Sequence, residues 1–479
     1  MKYDVIIIGA GLGGLTAGAK LAKEGRKVLL IEQHSKPGGC ATTFRRGEFT
    51  LEVGLHEMDG PSPRDMKTRI FNELGVFDNV EFVRVPEFYH FIHNHINITI
   101  PHDPSEAGRI LKDSFPEEGD AIDAFFDQVL NPKRKSAGSE APVDKSLGEF
   151  LDSIISNDDL KLILLGNLGY FHDDPYSISL TYYSAAQGSY FNGGASFIKG
   201  GSQKLSDHFA DFIRKHGGNV VLNHLVNKLI IENNKLVGVS YIKQGGASSD
   251  VTNVFADEIV ANTAMQNIAE LLPGKSGAIL SKEISKQKPG ASLLTIYFGF
   301  KSPLDKLGNR HYSTFVFDSS VITQSDILKN NQGNFQNRSF TFIDYGRIDS
   351  GLAPSGKSVG AICCIDYLKD WENLSAEEYK LKKEIVAGIF IKRLEDLIPG
   401  ITGEIEYYEV GTSATINRYT MNQEGAVYGF AQTPGKPVVD TSVLFENLHF
   451  ASAWGKTGGG FSGAIYSGFL CAYNILRKK

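Results

Sequence analysis

The chain has 479 residues, 42% of them hydrophobic and 22% charged, with a formal net charge of −6. That length exceeds one ordinary domain and allows a substantial buried core. The mild acidity leaves no electrostatic footprint for nucleic acid, and no uninterrupted apolar run reaches the ~18 residues needed to cross a bilayer.

Met1 runs directly into the first strand, so no signal or transit peptide is expected. Tyr3-Asp4-Val5-Ile6-Ile7-Ile8 is apolar and β-branched, as a strand covered on both faces of a parallel sheet should be. Gly9, Gly11 and Gly14 follow at GxGxxG spacing, with Ala10 between the first two. The first glycine permits the tight turn, the second lets backbone approach a pyrophosphate, and the third lets the helix pack against the strand. Residues 15–23 have helical periodicity and stop at Gly25, a C-cap. Residues 27–31 read as the second parallel strand, ending in Glu32, where an acid accepts hydrogen bonds from an adenosine ribose. Glu32 repels a 2′-phosphate, so the implied ligand is FAD or NAD rather than NADP. Pro37-Gly38-Gly39-Cys40-Ala41-Thr42-Thr43 and Glu52-Val53-Gly54-Leu55-His56 then bring glycines back where an NAD unit would proceed to a further βαβ repeat. Such loops offer amides to phosphate and to a flavin ring, which favours FAD.

Residues 81–101 alternate and predict a hairpin turning near His93-Asn94-His95. His90, His93, His95 and His102 read as polar turn residues rather than a metal site: His90 and His93 fall on opposite faces, and no cysteine or carboxylate joins them. Residues 104–130 are amphipathic and helical, broken at Phe115-Pro116. Residues 132–142 are a loop by composition. Within it Lys133-Arg134-Lys135 is a solvated run, with contact to membrane headgroups as the minor reading. The stretch 147–190 is rich in leucine, isoleucine and aromatics, helical material able to wall an apolar cavity. Phe197-Ile198-Lys199-Gly200-Gly201-Ser202-Gln203 introduces a helix over 204–216, ended by Gly217-Gly218. Strands are expected at 219–222 and 228–232, a turn at Asn233-Asn234-Lys235, and further strands at 236–242 and 257–262. Residues 280–408 mix strands (293–300, 358–366) with an amphipathic helix over 380–398. A strand at 447–453, a turn at Gly458-Gly459-Gly460 and a helix over 461–476 close the chain. Glycines at a helix start present bare amides and the positive dipole end, which beside a flavin would stabilise negative charge on the reduced ring. Cys40, Cys363, Cys364 and Cys471 show neither metal spacing nor a disulfide framework, which suits a reducing compartment.

With these blocks in place the chain resembles the FAD-dependent carotenoid desaturase, carotenoid isomerase and retinol saturase group, within the wider flavin amine-oxidase fold. The matching stretches are DVIIIGAGLGGLTA, the PGG after Glu32, FIKGGSQKLSDHF and FASAWGKTGGGFSGAIYSG. They run in order over nearly the whole chain, with 90–190 and 280–405 similar in character alone. The resemblance implies an α/β fold: a discontinuous, glutathione-reductase-like FAD-binding Rossmann domain (1–89, 196–279 and 409–479) and a mixed α+β substrate domain (90–195 and 280–408). It implies that Gly9, Ala10, Gly11, Gly14 and Glu32 hold the adenosine and pyrophosphate. By the same match Gly39, Ala41, Thr42, Gly54 and His56 lie along the flavin, Val226 meets adenine through its backbone, and Trp454, Gly459, Gly460 and Phe461 border the isoalloxazine. Two positions depart from the pattern. Ala453 stands where many relatives place an acid for the ribityl chain, and Cys40 where many carry Arg or Lys.

No Ser-His-Asp order, CxxC pair, metal box or second GxGxxG is present, so the chemistry rests on the flavin, with orientation and water exclusion supplied by protein. His56 and Tyr428 are the candidates for proton handling or gating. The expected activity is an FAD-dependent oxidoreductase acting on carbon–carbon bonds of an apolar, carotenoid- or retinoid-like polyene, by desaturation, saturation or cis–trans isomerisation. Two alternatives share the fold: a flavin amine oxidase, and a non-enzymatic prenyl-binding escort related to the Rab GDP dissociation inhibitors, against which the intact FAD loops argue. The expected location is the cytoplasm, at most peripheral at a membrane; the electron partner stays open.

Overall fold

The computed structural model describes residues 2–63, 65–132, 144–233, 235–245, 251–441 and 444–478. The opening unit builds a seven-stranded sheet. Lys2–Ile8, apolar and buried from Val5 to Ile8, pairs in parallel with Val28–Ile31 on one side and Thr252–Ala261 on the other. Asn219–Val221 adds beyond Val28–Ile31, also in parallel. Past Thr252–Ala261 the sheet turns antiparallel through Lys235–Lys243 to His224–Glu232, while Leu448–Phe450 pairs in parallel with its last residues. Three distant stretches of chain thus share one sheet, and its parallel strands end beside the Gly9–Gly14 turn, where ligands of such sheets bind.

Close helix packing fixes that turn. A Cβ on Gly14 would stand 2.3 Å from the Gly9 carbonyl oxygen, and one on Gly468 would stand 2.1 Å from that of Gly13. Bare backbone therefore lets helix Leu12–Lys23 lie against both the first strand and the C-terminal helix Gly460–Arg477.

A second seven-stranded sheet runs in the order Ile405–Gly411, Ser292–Phe300, Ser358–Asp366, Phe340–Asp344, Ser313–Val316, Tyr89–His93, Ile96–Ile100. Its pairings are antiparallel except between Ser313–Val316 and Tyr89–His93. Strand periodicity sorts the faces. Leu294, Ile296 and Phe298 pack with Val386, Phe390 and Leu394 of helix Ala376–Leu397, whereas Leu293, Thr295 and Tyr297 face a cavity. Helices Pro104–Ser114, Gly119–Leu130, Leu147–Ile154, Asp158–Leu164 and Leu180–Gly193 form a separate apolar cluster beside this sheet.

The expected hairpin over 81–101 needs correction. Phe82–Arg84 joins Met58–Asp59 and Ala195–Ile198 in a small three-stranded sheet, and the hairpin is Tyr89–His93 with Ile96–Ile100 about Asn94. Pro86, which cannot donate to a ladder, separates the two. The histidines go to different partners: His90 stacks on His311 at 3.6 Å, His102 bonds the Val85 carbonyl at 3.1 Å, and His95 faces Asp159. The strand expected at 447–453 contracts to Leu448–Phe450. Strands Ser313–Val316, Phe340–Asp344 and Ile405–Gly411 went unassigned in the sequence. The Lys133-Arg134-Lys135 run, the rest of that loop to residue 142, and Asn234 lie outside the described residues. Among the described residues no helix is long and apolar enough to cross a membrane.

Candidate active site

The nucleotide end is built by the first turn. Glu32 is buried, its Oε2 accepting from Ala10 N at 2.7 Å and its Oε1 from His34 N at 2.9 Å. Helix Leu12–Lys23 begins at Gly11 with no side-chain cap and no acid in its first turn. With no side chain neutralising it, the positive dipole end of this helix favours an anion. Val226, on the facing strand, lines the same space.

The glycine loop after Glu32 is gripped from far along the chain. Glu52 is buried between two turns. Its carboxylate accepts from Ser202 N and Ser202 Oγ (both 2.7 Å), Leu55 N (3.0 Å) and Gly54 N (3.2 Å). Burial pushes the Glu52 carboxyl up to about 7, against the lowering pull of those four donors. Gln203 donates to the Pro37 carbonyl at 2.9 Å and accepts from Thr42 Oγ1 at 2.5 Å, and Ser206 donates to the Ala41 carbonyl at 2.7 Å. The GGSQKLSD block is thus a clamp that shapes residues 37–55.

Tyrosines position the next stretch. Tyr297, Tyr345, Tyr312 and Tyr190 donate to the carbonyls of Val53 (3.3 Å), Leu55 (3.0 Å), His56 (2.5 Å) and Glu57 (3.4 Å). With the backbone held this way, His56 and Glu57 lie along the cavity wall. Burial depresses His56 to about 4, so its imidazole is neutral at physiological pH, and burial likewise raises the Tyr428 phenol far above its ordinary value.

Helix Gly460–Arg477 enters from the opposite side, again without a side-chain cap or an acid in its first turn. A Cβ on Gly459 would meet the Tyr428 carbonyl oxygen at 2.4 Å, whereas one on Gly460 would meet nothing within 4 Å and project into open cavity. Trp454 is buried, its Nε1 donating to Asn422 Oδ1 at 3.2 Å and its ring edge-on to Phe430 at 4.9 Å. Lys67, 1% exposed, anchors this side. Its Nζ reaches the Asp59 carboxylate and carbonyl, both at 2.5 Å; Asp59 accepts from Ser462 Oγ at 2.5 Å, and Asp65 accepts from the Tyr466 hydroxyl.

All of this opens on one cavity of about 1320 Å³. Gly9, Gly11, Glu32, Gly39, Ala41, Thr42, Gly54, His56, Val226, Tyr428, Trp454, Gly459, Gly460 and Phe461 line it. Ala10 and Gly14 do not: Ala10 holds Glu32 through its amide, and Gly14 serves the close packing of helix on turn. The volume exceeds the ~300–1,000 Å³ of a drug-sized site. Two helix starts without a side-chain cap, a buried acid at the end of Val28–Ile31 and glycine turns lining a cavity of this volume fit a flavin dinucleotide. Sequence analysis places Glu52, Ser202 and Gln203 in glycine-bearing loops without giving them this holding role, and does not single out Glu57. An acid in the apolar Leu55-His56-Glu57-Met58 run was the available signal for Glu57.

The family model for flavin containing amine oxidoreductase matches residues 12–476. Prolycopene isomerase from the chloroplast of Daucus carota is 27% identical over 99% of this chain and 80% of its own length. All-trans-retinol 13,14-reductase of Danio rerio is 24% identical, over 99% and 86%. In fold the chain is similar to an oxidoreductase from Methanosarcina mazei (TM-score 0.69, 20% identity, 100% of both chains) and to a redesigned putrescine oxidase (TM-score 0.66, 16% identity, 100% of both chains).

Proposed function

The chain belongs to the flavin-containing amine oxidoreductase family, with FAD as its cofactor, and from that premise we propose that it acts on carbon–carbon bonds of an apolar polyene, carotenoid- or retinoid-like, by desaturation, saturation or cis–trans isomerisation. The observation that carries this reading is the cavity beyond the glycine turns. Its far walls are Leu293, Phe315 and Ile365 from the second sheet, Phe317 just past the end of strand Ser313–Val316, and Tyr182 and Ala185 from helix Leu180–Gly193. The activities for which the Daucus carota and Danio rerio relatives are named point the same way.

FAD supplies hydride or electron exchange when bound. We assign the adenosine and pyrophosphate to Gly9, Gly11, Glu32 and Val226, with Ala10 and Gly14 shaping the turn behind them, and the flavin to Gly39, Ala41, Thr42, Gly54, His56, Trp454, Gly459, Gly460 and Phe461. His56 and Tyr428, both neutral by burial, orient ligands and exclude water in this assignment rather than carry charge. Sheet membership supports a division into a nucleotide domain (1–89, 196–279 and the C-terminal segment) and a substrate domain (90–195 and from 280). We draw the last boundary after Ile405–Gly411, which hydrogen-bonds in the second sheet, rather than at 408.

The test is the pigment profile of a polyene-producing host expressing the protein, beside peroxide release from amines. Altered polyenes with no peroxide support the proposal. Unchanged pigments with amine-dependent peroxide replace it with an amine oxidase.

A further inference from the structure

The cavity meets solvent at a seam between two strands that are not paired with each other. Thr43–Arg46 pairs only with Phe49–Glu52, as a two-stranded sheet, and Ile405–Gly411 is the outermost strand of the second sheet. An ion pair joins them across the cavity wall. Arg46 donates from Nε to Glu409 Oε2 at 2.7 Å and from Nη2 to Glu409 Oε1 at 3.0 Å, and the Tyr407 hydroxyl donates to the same carboxylate at 2.5 Å. Both residues line the cavity, yet their side chains are 45% and 33% exposed, so the pair stands between chamber and solvent. Aromatic surface lies behind it. The Arg46 guanidinium sits over the Phe44 ring at 4.9 Å, Phe44 meets Tyr297 edge-on at 5.2 Å, and both rings also line the cavity. The frame around the pair is fixed. Phe49 is buried, and a Cβ on Gly299 would stand 2.5 Å from its ring; Thr50 N donates to the Leu352 carbonyl at 2.9 Å, and Lys357 bridges Glu48 to Glu406.

An ion pair this exposed adds little to stability, and its long side chains change rotamer without moving backbone. We propose that Arg46 and Glu409 form a side-chain gate over the entrance of the chamber, and that a neutral apolar chain enters between Phe44 and Tyr297 when the pair parts. The fixed frame leaves these two side chains as the moving part, and the rings give an apolar path once the charges are passed. This rests on the polyene reading of the chamber and adds the route of entry. A gate sets how often the route is open, so by microscopic reversibility it scales entry and exit alike and leaves Kd unchanged. A neutral ligand carries no charge to screen, so a gate effect that fades with ionic strength reports the ion pair.

The experiment mixes FAD-loaded protein with diphenylhexatriene, a neutral polyene hydrocarbon that fluoresces on leaving water. Entry and exit rates are read by stopped flow at about 0.1 M and about 1 M NaCl, where the Debye length is about 10 Å and about 3 Å. At the lower salt Arg46→Met should exceed the native protein in both rates by about threefold to fivefold, with Kd unchanged. At the higher salt that ratio should fall below about twofold, because screening has already loosened the native pair. Comparison with the variant cancels the effect of salt on the free probe. The double variant Arg46→Glu, Glu409→Arg rebuilds the pair in reverse and should return both rates toward native, which separates a gate from a folding defect. Equal rates for native protein and Arg46→Met, a Kd that moves as far as the rates, or a double variant as fast as Arg46→Met overturns the gate and leaves the polyene reading standing. No binding of the probe under any condition refutes both. Loss of FAD from Arg46→Met with probe rates unchanged assigns the pair to the cofactor and overturns the gate.

Discussion

Glu52→Gln tests whether the cofactor loops are held by the remote clamp. In the native chain Glu52 Oε2 accepts from Ser202 N, and Oε1 gathers Ser202 Oγ, Gly54 N and Leu55 N. Glutamine keeps one acceptor and turns an NH₂ toward a backbone N–H. Whichever way it flips, a buried donor and the amide itself are left unmet, at about 1–3 kcal/mol each. The expected loss is therefore about 2–4 kcal/mol. A chain of this size has an unfolding entropy near 1 kcal/mol/K, so the apoprotein Tm should fall by about 2–4 °C. The second readout is FAD affinity, followed by flavin fluorescence at pH 7.5. Because Ser202 starts the helix from which Gln203 and Ser206 grip residues 37–42, loosening it should weaken FAD by about tenfold or more, each 1.4 kcal/mol of coupling being one decade. A variant that melts within 1 °C or so of the native protein and retains FAD equally would refute the clamp.

Other perturbations follow from the same contacts. Lys67→Met strands the Asp59 carboxylate with Ser462 alone and should cost about 3–5 kcal/mol in denaturant unfolding; adding Asp59→Asn should restore part of it. Gly468→Ala places a methyl 2.1 Å from the Gly13 carbonyl and should push the last helix off the first, seen as lower FAD occupancy and a drop of about 2–4 kcal/mol, whereas Gly119→Ala, facing open space, should not. His56 has a depressed folded value, so its contribution is fully present above pH ~6.5 and is lost as pH falls toward 4, by at most about 3 kcal/mol. His56→Phe should flatten that part of the Tm-versus-pH curve, and an unchanged slope would contradict the assignment.

The nucleotide unit was readable because its signals are local. The apolar run of Lys2–Ile8, the glycine spacing and Glu32 occupy one short stretch, and the helix stops at Gly25 as its φ of 79° permits. The second sheet was only half legible. Phe340–Asp344 and Ser313–Val316 are short strands whose pairing partners lie far off in sequence, and tertiary context decides such strands more than propensity does. The same distance hid the clamp, since Glu52 meets Ser202 across 150 residues. Pro86 was visible, and weighing it would have split the 81–101 run correctly. Glu57 looked like an ordinary polar residue, and only its unpaired burial marks it out.

The central claim is met most directly by anaerobic incubation of the purified, FAD-loaded protein with a set of polyenes, in oxidised and in reduced form, followed by chromatography and mass measurement of the extract. The expected result is a polyene that gains or loses a hydrogen pair, or elutes as a geometric isomer, in at least one redox state. Full recovery of every polyene unaltered in both states would contradict it.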